Sequence, residues 1–176
     1  RLDADGRVTA VRFRNVPSFV LARDLSVATT RGPLTVDIGY GGAFYGSVDV
    51  RTIGRHVEPG ALTDLIDLQR ELRPTLEAAV DVVHPLEPEL RGVYGVIFWE
   101  PIEPGAPGTV AAAAMAQRNV TVFADGEVDR SPCGSGTSAR LAILHARDEI
   151  AVGGRLEHHS IVNSAFDGWV TGTTKV

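Results

Sequence analysis

The chain has 176 residues, 44% of them hydrophobic, with a mean hydropathy of +0.04 and a formal net charge of −5; that is enough for one ordinary globular domain and argues against disorder. The acidic balance, without any lysine or arginine cluster, argues against nucleic acid and anionic membrane surfaces as partners. A single cysteine excludes an internal disulfide and a cysteine-based zinc site and fits a reducing, cytoplasmic compartment, and no apolar run approaches a membrane span.

The start, Arg1-Leu-Asp-Ala-Asp-Gly6, is no signal peptide and opens on a turn without an initiator methionine, as an excised fragment would. Val8 to Val16 alternates as a strand, Val11 and Phe13 on one face and Arg12 and Arg14 on the other, limited by Pro17. Ser18 to Ala22 and Ser26 to Thr30 read as short β segments before a turn at Arg31-Gly-Pro33. Leu34, Val36 and Ile38 alternate with Thr35 and Asp37 into Gly39-Tyr-Gly-Gly42, and Ala43 to Val50 completes a hairpin. Gly41-Gly42 reads as a turn or bulge needing positive φ in preference to a ligand contact.

Pro59-Gly60 introduces an amphipathic helix with Leu62, Leu65, Ile66, Leu72 and Leu76 on one side and Asp64, Asp67, Arg70, Glu71 and Arg73 on the other, kinked or interrupted at Pro74. His84 to Glu89 is a surface connection, Gly92 to Trp99 a central strand, and Glu100 to Gly108 an exposed loop. Thr109 to Ala116 and Asn119 to Phe123 read as strands, with a tight turn at Asp125-Gly126. After a helix over Thr137 to Ile150, Leu156 to Phe166 and Trp169 to Thr174 give two more strands around Asp167-Gly168.

The most informative stretch is Asp129-Arg-Ser-Pro-Cys-Gly-Ser-Gly-Thr-Ser-Ala-Arg140, which places the lone cysteine at the N-terminus of a small-residue helix. Free N–H groups and the positive dipole end there favour a thiolate and can also hold a carboxylate or phosphate. A lone cysteine is equally read as a buried, inert small hydrophobe. The glycine spacing and the missing lysine do not fit a nucleotide-binding loop.

This stretch resembles the second cysteine motif of the proline racemase family, which includes proline racemases, hydroxyproline 2-epimerases and trans-3-hydroxy-L-proline dehydratases. Arg14-Asn-Val-Pro-Ser-Phe19, Asp37-Ile-Gly-Tyr-Gly-Gly-Ala-Phe-Tyr45, Gly92-Val-Tyr-Gly-Val-Ile-Phe98 and Leu144-His-Ala-Arg147 extend the likeness through most of the chain. The Ala-Phe-Tyr continuation after Gly42 is more like the dehydratase-type members than the racemases and epimerases, which tend to show asparagine there. The residue pattern itself gives a mixed, mainly antiparallel α/β domain; the resemblance implies an α+β, diaminopimelate-epimerase-like domain, a curved sheet wrapped around a central helix. It also implies that residues 1–176 are one of two domains, with another cysteine motif upstream and more chain downstream.

Removing a Cα proton without pyridoxal or metal is hard, and the only lysine, Lys175, is at the extreme end, badly placed for a Schiff base. The resemblance implies a cofactor-free route: a thiolate takes the proton and a thiol on the opposite face returns it, inverting the centre. Thiols suit this because their pKa lies near working pH. Carried over, Cys133 is one member of the pair, Gly134 and Ser135 offer backbone N–H groups to the substrate carboxylate, and Asp129 accepts from the ring ammonium of proline or hydroxyproline. Without the resemblance, Asp129 reads first as a turn residue or cap, and Ser131 as another cap.

The remaining polar residues read as structural. Neighbouring His158 and His159 face opposite sides of a strand with no ligand-spaced carboxylate, so no metal is expected. His84 reads as a surface residue, His145 as packed or capping, and Met115, Trp99 and Trp169 as core. Three functions follow: a racemase or epimerase, a dehydratase sharing the proton abstraction, and a non-catalytic amino-acid binding module. The missing N-terminal domain would complete the site, so the 176 residues alone are expected to be inactive for inversion; a homodimer is left open.

Overall fold

The structure is a computed structural model that describes residues 1–103 and 115–175. Seven strands pair in chain order into one sheet: β1 (Phe19–Thr29), β2 (Gly32–Tyr40), β3 (Phe44–Asp49), β4 (Val93–Pro101), β5 (Met115–Phe123), β6 (Arg155–Ser160) and β7 (Ala165–Trp169). The pairs β3–β4 and β5–β6 are parallel and the others antiparallel. Each parallel step is bridged by a helix, α1 (Leu62–Ala79) for the first and α2 (Gly134–Ala146) for the second.

The placement of the helices follows from handedness. Both crossovers step the same way across the sheet, yet β5 runs opposite to β3 because β4 and β5 are antiparallel. A right-handed connection must then put its helix on the other face. Side chains agree: a Cβ at Gly46 would meet Leu76 of α1, whereas one at its neighbour's partner Gly39 would meet Ala139 and Ile143 of α2.

The main core lies between α1 and the sheet, where Leu65, Leu68, Leu72 and Leu76 are buried against residues such as Ile38, Phe44, Val96 and Phe98. On the opposite face α2 touches β1, β2 and β3 as well as β7, so the two ends of the sheet curve toward one helix. Seven residues of α2, from Gly136 to Leu144, are buried, which matches its small, apolar, weakly amphipathic sequence. This is the α+β, diaminopimelate-epimerase-like arrangement of a curved, mainly antiparallel sheet around a central helix.

Several local expectations are corrected. Val8 to Val16 forms no strand: Val11 is 84% and Phe13 69% exposed, because alternation without a neighbouring ladder leaves backbone groups unpaired. The two short β segments are one strand, β1, joined across a register shift at Ala22 to Leu25, where Asp24 takes φ +55°. Helix α1 continues through Pro74. Glu100 belongs to β4 and is buried, accepting from Val57 N, with His56 Nδ1 2.8 Å away; residues 104–114, which hold the rest of that loop and most of the Thr109 to Ala116 strand, lie outside the described residues.

The last turn is Ile161–Ser164, closed by Ser160 N donating to Ser164 O at 2.8 Å. Gly168 instead sits inside β7, where a Cβ would lie 2.8 Å from Leu141 Cδ1, so this glycine serves helix packing. His84 is buried, edge-on to Phe19 and Tyr40, and its Nδ1 accepts from Leu86 N and Glu87 N. Trp169 is 39% exposed rather than core, with the Arg12 guanidinium over its ring.

Candidate active site

Chain direction reverses between β5 and α2 through a short loop, and that loop carries the cysteine. Asp129 N donates to Thr121 O and Ser131 N donates to the Asp129 carboxylate at 2.8 Å, an Asx turn that realises the turn role expected of Asp129. Ser131 Oγ then accepts from Cys133 N at 3.1 Å. Cys133 is the N-cap of α2 with φ +63° and ψ 114°, a left-handed setting that a non-glycine residue rarely takes. Its carbonyl accepts from Thr137 N at 2.8 Å, the first helical bond.

The loop is held from behind by polar groups of the sheet. The Pro132 carbonyl accepts from Asn119 Nδ2 and from Thr137 Oγ1, and Thr137 Oγ1 lies 2.9 Å from His158 Nδ1. Complete burial, with the Arg140 charge nearby, holds His158 down at about 3, so it stays neutral at working pH. Arg140 is itself buried over the Trp99 ring at 3.7 Å and donates from Nε to Gln117, and its burial brings the guanidinium down to about 10.

The thiol lies under the first turn of α2. Gly136 leaves room for it, since a Cβ there would sit 3.1 Å from Cys133 Sγ. The sulfur is 3.7 Å from Tyr45 Oη and 3.8 Å from Ser135 Oγ, and those two oxygens are 2.7 Å apart. Burial first, and the neighbouring thiol second, push the Tyr45 phenol well above its ordinary range, so it keeps its proton. The N–H groups of Gly134 and Ser135 belong to the first helical turn, which has no intrahelical acceptor for them.

Two open clefts lie along the flanking residues. One of about 750 Å³ is bordered by Phe123, Asp129 and Ser131, and another of about 530 Å³ by Tyr45, Tyr94 and Ser135. Of the four expected site residues, Asp129 borders the first cleft and Ser135 the second, while Gly134 and Cys133, the latter only 4% exposed, border neither. Across the front runs the N-terminal arm: Asn15 Nδ2 donates to Gly41 O at 2.8 Å and to Ser138 Oγ at 2.7 Å, and Phe13 approaches Gly134.

Sequence reasoning missed Tyr45, Asn15 and the packing role of Gly41. Tyr45 and Asn15 were visible only as members of matched motifs. Among the described residues no group of three or more His, Cys, Asp or Glu could hold a metal. A carboxylate does lie by His159, Glu157 Oε1 at 2.8 Å from its Nε2, as a buried pair. No described helix is long and apolar enough to cross a membrane.

Comparison with known proteins agrees with the residue pattern. The chain is 42% identical over 170 residues to a trans-3-hydroxy-L-proline dehydratase of Bacillus cereus, covering 96% of this chain and 48% of that protein. It is 39% identical over 173 residues to a 4-hydroxyproline 2-epimerase of Agrobacterium fabrum, covering 98% and 47%. A crystal structure of a hydroxyproline epimerase from Agrobacterium vitis, with bound trans-4-hydroxy-L-proline, superposes with a TM-score of 0.82 at 39% identity over 92% of this chain and 44% of that one. The chain thus spans about half the length of the curated relatives it matches. A family model described as Proline racemase matches residues 2–176, and the chain belongs to that family.

Proposed function

We propose that this chain is the second-cysteine half of a cofactor-independent racemase or epimerase acting on proline or a hydroxyproline, in which Cys133 exchanges the Cα proton. The observation that carries the reading is the juxtaposition of the Cys133 sulfur with the N-terminal turn of α2. A carboxylate on the Gly134 and Ser135 N–H groups would bring the adjacent Cα beside the thiol. Asp129 Oδ1 is occupied by Ser131 N, and the remaining carboxylate oxygen is the acceptor for a ring ammonium. A thiolate facing Cα removes the proton, and a second group on the opposite face supplies one, so the centre inverts.

That second group belongs to the domain that the family relatives carry outside the matched half. The cleft would form between the two domains, and Cys133 alone would exchange a proton without inverting the product. A second reading, dehydration of trans-3-hydroxy-L-proline, is favoured by Ala43 after the glycine pair and by the 42% identity to the Bacillus cereus enzyme. It uses the same abstraction followed by loss of the 3-hydroxyl.

The test is incubation of the complete protein in D₂O with L-proline, trans-4-hydroxy-L-proline and trans-3-hydroxy-L-proline, followed by proton NMR. Deuterium at Cα with appearance of the opposite epimer is the expected result and names the ring. Conversion of the 3-hydroxy substrate to a pyrroline carboxylate without an epimer would replace the first reading by the second. No exchange with any of the three would overturn both and leave an amino-acid binding module.

A further inference from the structure

A group that takes a proton in one half of a reaction and gives it back in the other must be stabilised in both charge states. Cys133 is nearly buried, so water supplies little of that solvation. Cys133 packs in a buried cluster with Ile97 and Ala139, and the polar groups that reach its sulfur are a pair of hydroxyls, Tyr45 Oη at 3.7 Å and Ser135 Oγ at 3.8 Å, bonded to each other at 2.7 Å. A hydroxyl both donates and accepts, whereas a thiol donates weakly and a thiolate only accepts.

We propose that Tyr45 and Ser135 form a reversible hydrogen-bond relay that matches either protonation state of Cys133, making Tyr45 a positioning residue for the acid/base step. The inference rests on the proposed acid/base role of Cys133. With the thiol present, S–H donates to the phenol oxygen and the phenol O–H donates to Ser135 Oγ. With the thiolate, the Ser135 O–H turns to donate to S⁻ across 3.8 Å while the phenol O–H goes on donating to Ser135 Oγ. Only the Ser135 hydroxyl hydrogen rotates; no covalent bond to oxygen breaks and no heavy atom has to leave its place.

Two features of the fold suit this task. The phenol keeps its proton because burial holds its titration well above the ordinary range. Its ring is fixed by β3 and by the edge-on Tyr94 ring at 5.9 Å. Other titratable groups on the surrounding elements are Tyr94 on β4, Asp129 and Arg130 on the loop, Arg140 on α2, His158 on β6, and Arg12 and Arg14 on the arm. Of these, Asp129 is turned to Ser131 N, Arg140 to Trp99 and Gln117, and His158 to Thr137. Ser135 therefore serves twice, its N–H toward a substrate carboxylate and its hydroxyl toward the relay.

The test is the pH dependence of Cys133 alkylation by neutral iodoacetamide in the complete protein, compared with Tyr45→Phe and Ser135→Ala. Ser135→Ala removes the donor to S⁻ and should raise the alkylation midpoint by about one pH unit, the size of a lost charge-assisted bond. Tyr45→Phe removes the acceptor of the thiol's S–H and should lower the midpoint. Opposite signs distinguish a relay from general loosening, which would move both variants the same way. Unchanged midpoints, or shifts of one sign, would overturn the relay. Cys133→Ala in the D₂O assay reports separately on the underlying reading: persisting Cα exchange would refute the role of Cys133 itself.

Discussion

Replacing Gly41 by alanine tests how closely the cysteine helix must approach the sheet. A Cβ at this position would lie 2.2 Å from Ser135 O, 2.5 Å from Ala139 N and 3.0 Å from Ser138 Cβ. Ordinary contact begins near 3.4 Å, so α2 would have to withdraw by about 1 Å. The clashing atoms are mostly helix backbone, which cannot rotate aside as a side chain can. The cost is expected at the upper end of the overpacking range, about 3 kcal/mol, or roughly 6–12 °C in Tm for a domain of this size. The same displacement moves Ser135 away from Tyr45 and should lower kcat/KM of the complete protein by about 100-fold. Thermal and urea unfolding measure the first effect and the D₂O exchange assay the second. Gly60→Ala is the control, because nothing lies within 4 Å of a Cβ there, and it should stay within about 0.5 kcal/mol. A Gly41→Ala protein with wild-type unfolding midpoints would refute the close approach.

Arg147→Met should cost about 2–3 kcal/mol in urea unfolding, since it strands the Asp37 carboxylate, 9% exposed and bonded to Arg147 at 2.6 and 3.0 Å; a loss under 0.5 kcal/mol would mean water replaces the guanidinium. His158, held at about 3 by burial, cannot take the proton that the unfolded chain takes near 6.5. Its contribution is therefore complete above pH 6.5 and falls by about 1.4 kcal/mol per unit below it, and urea midpoints of wild type and His158→Gln should converge toward pH 4. His56 is raised by its bond to Glu100 and then by that carboxylate's charge. It stabilises the fold fully below pH 6.5 and less as pH rises through the elevated midpoint, so NMR titration should find that midpoint above 6.5 and Glu100→Gln should bring it down.

The parts legible in the sequence are those with local causes. Pro132, Cys133 and the following glycines mark the start of α2 because capping and helix entry are decided within a few residues, and Cys133, Gly134 and Ser135 fall at that helix start for that reason. Hairpin β2–β3 and helix α1 were legible from their periods. What escaped depends on partners distant in the chain. Gly41 and Gly168 read as turn glycines, yet one faces α2 backbone and the other Leu141. Val8 to Val16 has the alternation of a strand and no neighbour to pair with. Tyr45 is 90 positions from Ser135, and no local pattern announces that its hydroxyl reaches the thiol.

The left-handed backbone of Cys133 connects these observations. A non-glycine residue in a sparsely populated setting costs about 1–3 kcal/mol and persists only where its surroundings over-determine it. Here the restraints come from four sides: Ser131 Oγ on its N–H, Thr137 N on its carbonyl, Asn119 and Thr137 on the preceding Pro132 carbonyl, and Tyr45 with Ser135 at the sulfur. A glycine at 133 would relieve the strain, and an inert core cysteine would gain nothing from it. Retaining a thiol there is understandable if its direction matters, with sulfur set under the first helical turn inside the buried cluster it shares with Tyr45, Ile97 and Ala139. The glycines at 41 and 136 serve the same end, one letting the helix approach and the other leaving space for the sulfur. Strain, close packing and a two-way hydroxyl pair thus converge on one atom, the arrangement expected of a group whose position, more than its burial, the fold has to secure.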